Sequence, residues 1–252
     1  MQIRRLNTLR GIAALVVLVG HYSNRAQLWD AVLGTRAPQL GVMLFFLLSA
    51  FLMTVLYLDR PPTAPALRGY ASARAARILP LFVAIVLLSW LAQQSGWPAL
   101  MAAAYDIPDL KSLASHLLTL YGVQVLWTIP AELHFYLVFA ALWWLRPRLA
   151  WAIPLFSVVV LGAFASGHWP LGPKQPVFGF PVDLPLLRGL PYFTAGMLIG
   201  IAYKRWQAPA RLRHHGWVLA LPMLLLLYPA ILERLTGWTY VMWFNPAILL
   251  AM

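Results

Sequence analysis

Of the ionisable residues inside apolar runs of this sequence, three stand out: Arg10, His21 and Glu132. Such groups are expensive in an apolar medium, so each is a functional candidate by default. Arg10 and His21 are eleven residues apart. At about 100° per residue that spacing closes nearly three turns, so both fall on one helix face, about 16 Å apart. Asn7 and Ala14 fall near the same face. Glu132 and Tyr136 are four apart and share a face, while His134 points largely the other way. With Arg10 and Arg146 marking the inner ends of their runs, His21 lies about 16 Å and Glu132 about 21 Å above them. The two side chains then sit within about a helical turn of each other in depth. A histidine and a carboxylate at one depth suit a general base and its orienting partner. Spacing alone leaves another reading open, with His21 at the end of its run and Glu132 paired to some basic neighbour.

A second group comprises Arg68, Arg74 and Arg77, just before Ile78-Leu79-Pro80. Arg74 and Arg77 are neighbours if the stretch is helical. Such cations dock phosphorylated ligands through charge-assisted hydrogen bonds, although on charge alone they also serve as topology markers. Gly196 and Gly200 form G-x-x-x-G, a pattern of close helix packing. Ser49 suits a hydroxyl bonded to its own helix. His214 and His215 lack metal-ligand spacing. There is no H-E-x-x-H, Walker loop or dinucleotide fingerprint.

The elements that must carry these residues follow from composition. Of 252 residues, 62% are hydrophobic and 10% charged, with a mean hydropathy of +0.73. That excludes a disordered chain and an ordinary water-soluble globule. With no cysteine, disulfides, thiolate metal sites and a cysteine nucleophile are excluded. Runs long enough to cross a bilayer lie near 9–25, 40–57, 79–96, 126–145, 150–166, 186–203 and 216–232, with an eighth from about 239. The expected fold class is an all-α, polytopic transmembrane bundle of seven to eight spans in one domain over 1–252. The segment after Gly20 lacks a small-x-small cleavage site, so the first run is kept as a span. Residues 97–124 and 167–185 read as long outer loops.

The net charge of +12 falls unevenly on the two sides of such a bundle. Thirteen basic residues lie at the N-terminus and after the even-numbered spans, against six on the other side. This places the N-terminus in the cytoplasm, with the charge marking orientation and giving no nucleic-acid partner.

The motifs have an order. Leu9-Arg10-Gly11-Ile12-Ala13-Ala14, with His21 closing the span, resembles the opening of the acyltransferase-3 family of membrane acyltransferases. Gly41-Val42-Met43-Leu44-Phe45-Phe46-Leu47-Leu48-Ser49-Ala50-Phe51-Leu52 resembles its second motif, and Arg74-Ala75-Ala76-Arg77-Ile78-Leu79-Pro80 its arginine motif. The stretch Trp127 to Leu137 resembles its Trp…Glu-x-x-Phe-Tyr motif, through Trp127, Glu132, Phe135 and Tyr136. Phe193 and Gly196 continue the likeness more weakly. Three positions depart from the family pattern: Ala50 replaces a glycine, Ala73 an arginine and Phe82 a tyrosine. The family has about ten spans, so the resemblance implies a chain shortened at its C-terminus.

The resemblance implies an O-acyltransferase of the plasma (bacterial inner) membrane. It would move an acyl group, commonly acetyl from acetyl-CoA, to a hydroxyl of a carbohydrate or glycolipid acceptor without a metal. His21 would be the general base and Glu132 its orienting carboxylate. Arg74, Arg77 and Arg68 would hold the donor, and Arg10 would bind it or stabilise developing charge. Tyr136, Ser49 and Trp127 are supporting candidates. A transporter or flippase would also place His, Glu and Arg in a bundle and is the alternative, although no repeated halves are visible.

Overall fold

The computed structural model describes residues 4–33, 36–167, 169, 178–206, 228–237 and 249. Among these the regular structure is helical: α1 (Arg4–Ala26), α2 (Asp30–Leu33), α3 (Ala37–Tyr57), α4 (Ala64–Gln94), α5 (Pro98–Ala103), α6 (Leu110–Leu117), a 3-10 turn (Gln124–Trp127), α7 (Thr128–Leu145), α8 (Ala152–Ala165), α9 (Pro185–Arg205) and α10 (Pro229–Thr236). Among the described residues four stretches are long and apolar enough to cross a membrane: α3, α4, α9 and the 3-10 turn together with α7. α1 is 23 residues long, with Arg10 inside it, and is not in that set. α8 has only 14 residues, about 21 Å of helix. The seventh candidate falls outside the described residues up to 227, and the eighth almost entirely. Tyr228 is extended, as the proline after it requires, and α10 begins at Pro229.

The chain divides into two compact units. The first comprises residues 1–59, 154–169 and 191–252, and the second 60–153 and 170–190. In the first unit α3 is the central helix. Its Gly41 lies so close to α1 that a Cβ there would come within 2.5 Å of Val17 and 2.6 Å of the Ala13 carbonyl. Further along, a Cβ on Gly196 of α9 would meet the Leu47 carbonyl at 2.2 Å. Gly200 approaches Thr54 in the same way, so the G-x-x-x-G pair is a packing seam, as its spacing suggests. Phe46 and Phe193 stack beside the seam at 4.5 Å, and Phe164 of α8 meets Tyr192 edge-on at 6.2 Å. Ion pairs Arg36–Glu233 and Lys204–Asp59 close this unit at its polar ends.

In the second unit α4 is one unbroken helix of 31 residues, about 46 Å long. The arginine motif and the third apolar run, separate features in sequence, therefore share one rod. Thr63 caps it by accepting from the Ala66 N–H at 3.4 Å. Tyr70 fastens α4 to α7: its hydroxyl donates to the Tyr136 carbonyl at 3.1 Å, and its ring packs among Tyr136, Phe139 and Trp143. Trp143 in turn donates to the Arg60 carbonyl at 2.8 Å. The stretch 97–124 is not a plain loop, because α5, α6 and the start of the 3-10 turn lie within it. His116 holds it together. Its Nδ1 donates to the Ser112 carbonyl at 2.8 Å, and its Nε2 accepts from the Val123 N–H at 3.1 Å. A carbonyl only accepts and an amide only donates, so these two bonds select one neutral tautomer.

Candidate functional site

The second unit gathers residues from two of the motifs. Arg74, on the α4 face that also carries Tyr70 and Arg77, is buried with 8% of its surface exposed. Its guanidinium carbon lies 5.9 Å from the Tyr70 ring and 5.7 Å from the Tyr136 ring. Guanidinium remains charged in any protein setting, and aromatic faces are favourable neighbours for it. On the other side of the Tyr136 ring, the hydroxyl donates to Glu132 Oε1 at 2.5 Å. Glu132 and Tyr136 are one helical turn apart, so this bond comes from α7 alone, while the cation comes from α4. Glu132, Arg74 and Arg77 all lie near enough to act electrostatically on the Tyr136 hydroxyl. The result is a fixed cation and an oriented carboxylate bridged by one phenol.

The three arginines before the third apolar run are not equivalent. Arg74 is buried, Arg77 is exposed, and Arg68 is exposed with its Nε donating to its own helix at the Ala64 carbonyl, 3.4 Å away. Six residues place Arg68 about 120° around the helix from Arg74. The single cytoplasm-facing cluster expected from sequence therefore resolves into one interior cation and two outer ones. Ala73 is exposed, so the missing arginine of the family pattern belongs to the outer side of the helix.

The remaining candidates are placed as follows. Arg10 and His21 lie on α1 in the first unit, where the helix is unbroken, so their shared face stands. His21 is exposed and Arg10 half-buried; the side of α1 that packs inward carries Ala13, Gly20 and Ser23. Ser49 is buried on α3 in the same unit, next to the buried Ala50. His134 turns away from Glu132, as expected, and its Nε2 lies 3.2 Å from the Thr119 hydroxyl. Trp127 ends the 3-10 turn beneath Arg188, whose guanidinium carbon is 5.7 Å from its ring and which pairs with Asp183 at 2.6 Å. His214 and His215 lie outside the described residues. Among the described residues no three His, Asp or Glu side chains are grouped to hold a metal ion.

Tyr70 is the residue that sequence reasoning passed over. The signal was present, since Tyr70 precedes Arg74 by four residues and so shares its helix face. Arg188 and Asp183 carry no motif, and no local spacing joins them to Trp127.

Apolar helices of spanning length, a buried cation and a positioned carboxylate define a class: an all-helical protein with ionisable groups held in a largely apolar body. The chain belongs to the acyltransferase-3 family, because the family model, described as an acyltransferase domain, matches residues 3–252. No curated protein and no solved structure matches it.

Proposed function

We propose that the protein is an integral-membrane O-acyltransferase. It transfers an acyl group, commonly acetyl, from acyl-CoA to a hydroxyl of a carbohydrate or lipid-linked glycan. The observation that carries this reading is the buried Arg74 joined through Tyr136 to Glu132, in a chain matched throughout by an acyltransferase family. The reading takes the chain to cross the plasma membrane seven to eight times, with the N-terminus in the cytoplasm. The uneven distribution of its basic residues supports that orientation.

His21 removes the proton from the acceptor hydroxyl, which is far too weak an acid to ionise at neutral pH. The oxygen attacks the thioester carbonyl, the carbon–sulfur bond breaks, and the departing CoA thiolate takes the proton back from the imidazolium. Arg77, being exposed, meets the phosphates of the donor. Arg74 and Arg10 are permanent cations suited to the negative charge that develops on the carbonyl oxygen. Glu132 supplies an oriented carboxylate, held by the Tyr136 hydroxyl.

The test uses the complete gene product with labelled acetyl-CoA. His21→Ala should insert normally and lose transfer by about 100-fold or more, the scale of a lost general base. Retained transfer would overturn the base assignment. Arg74→Ala combined with Arg77→Ala should weaken acetyl-CoA binding more than acceptor binding. Unchanged donor affinity would return Arg77 to a topological role, and unchanged turnover would return Arg74 to a structural one.

A further inference from the structure

Residues 97–124 have the length of a solvent-facing loop, yet their packing is that of a segment held against an apolar surface. The irregular stretch between α5 and α6 runs back along α4. The Tyr105 N–H donates to Ser89 Oγ at 3.3 Å, Gln93 donates to the Tyr105 carbonyl at 3.3 Å, and Gln94 donates to the Pro108 carbonyl at 2.8 Å. Ile107 is fully buried in one cluster with Phe82, Val86 and Leu126. Ser89 and Val86 precede the end of α4 by five and eight residues, about 8 and 12 Å along the axis. The stretch therefore lies beside the apolar part of α4. Non-helical backbone at such a level is tolerated only when protein satisfies its polar groups, and three side chains of α4 here take up one N–H and two carbonyls of the stretch.

The directions of the side chains are a second, independent observation. A helix lying against protein in water buries its apolar stripe and exposes its polar one. α6 buries Ser112, Ser115 and His116 and exposes Leu110 and Leu117. Leu118, just beyond it, is 63% exposed. α5 buries none of its residues, and Trp97 before it is 69% exposed, with Leu100 and Met101 also outward. α5 and α6 both pack on α4, whose own exposed row is Leu87, Leu88 and Leu91. The apolar surface of a spanning helix thus continues onto the segment that follows it. Asp106, Asp109 and Lys111 are exposed and mark a polar edge. Lysine in particular can rest its stem on apolar surface with its head in water.

We propose that residues 97–124 form a membrane-seated lip around the Gln94 end of α4, with α5 and the leucine side of α6 facing lipid acyl chains. This rests on the membrane reading of the proposed function. A native chain without cysteine makes the test direct. Single cysteines replace Leu100, Leu118, Leu88 and Arg148 in the full protein, which is spin-labelled in phospholipid nanodiscs. Relaxation by oxygen is then compared with relaxation by a water-soluble nickel chelate. Labels at Leu100→Cys and Leu118→Cys should respond to oxygen as Leu88→Cys does, and unlike Arg148→Cys. Strong nickel response at Leu100 and Leu118, with Leu88 still protected, overturns the lip and leaves the membrane reading standing. Nickel response at Leu88 as well overturns both. Mutual broadening between labels that vanishes on dilution with unlabelled protein would show a second copy covering the face, and that also overturns the assignment to lipid.

Discussion

Tyr136 touches both charges of the second unit's candidate site. Its ring faces Arg74 and its hydroxyl holds Glu132. A hydrogen bond to a charged group contributes about 1.5–3 kcal/mol. Tyr136→Phe keeps the ring and removes only the bond to the carboxylate. Transfer should fall about 10- to 100-fold, mostly in kcat, with expression and donor affinity little changed. Tyr70→Phe is the control, because it removes a bond to a backbone carbonyl and should lower thermal stability more than turnover. A pair of variants with the opposite ranking would show that Tyr136 is merely a packing residue. The Glu132–Tyr136 contact was legible in advance, since four residues on a helix always bring two side chains to one face. The approach of Arg74 was not, because it depends on where a second helix lies. Separating Arg68 from Arg74 required only counting the angle, which the grouping by charge concealed.

Among the elements, α3 and α9 meet nearly backbone to backbone at Gly196, with almost no clearance. Gly196→Ala would push a methyl group against the Leu47 carbonyl, so it should destabilise the purified protein by about 1–3 kcal/mol, an overpacking cost. Gly69→Ala in α4 meets nothing within 4 Å and removes a flexible residue from a helix interior. It should leave the melting temperature unchanged or raise it. Thermal melts of the two variants in detergent read the contrast. α6 carries a different sensitivity. Burial pushes His116 below the ordinary histidine value of 6.5, against a smaller upward pull from its bond to the Ser112 carbonyl. A histidine whose folded pKa is lowered binds more protons when unfolded. The stability it contributes is therefore full above 6.5 and lost as pH falls below that value toward the folded pKa. The protection factor of the Val123 amide, whose N–H is held by the neutral ring, should fall on acidification below about pH 6.5, and His116→Asn should flatten that dependence. The apolar runs told where α3, α7 and α9 would lie within three residues, because twenty apolar residues in lipid have few alternatives to a helix. They did not reveal that α4 reaches back over the arginines, since propensity sets no boundary there until Pro61, Pro62 and the Thr63 cap.

For the whole molecule, composition carried the class and the motif order carried the family, while the division into two units could not be read from either. The first unit draws on three separated stretches of chain, and the second on two. That interleaving has a consequence for biosynthesis. Leu47 and Gly196, which touch in the finished protein, are 149 residues apart in the chain. At about 5–20 residues per second, roughly 7–30 s of translation separates the emergence of α3 from that of its partner. α1 can engage α3 early, but the seat for α9 along Leu47, Phe51 and Thr54 must wait, covered by lipid or by the insertion machinery. A ribosome-stalled chain ending before Pro185 should therefore crosslink to an insertase through a photoreactive group at Leu47, and one extended beyond Arg205 should not. The close-packed glycine seam, which looks like a static feature of the bundle, is in this sense a late latch, shut only after α9 has been made.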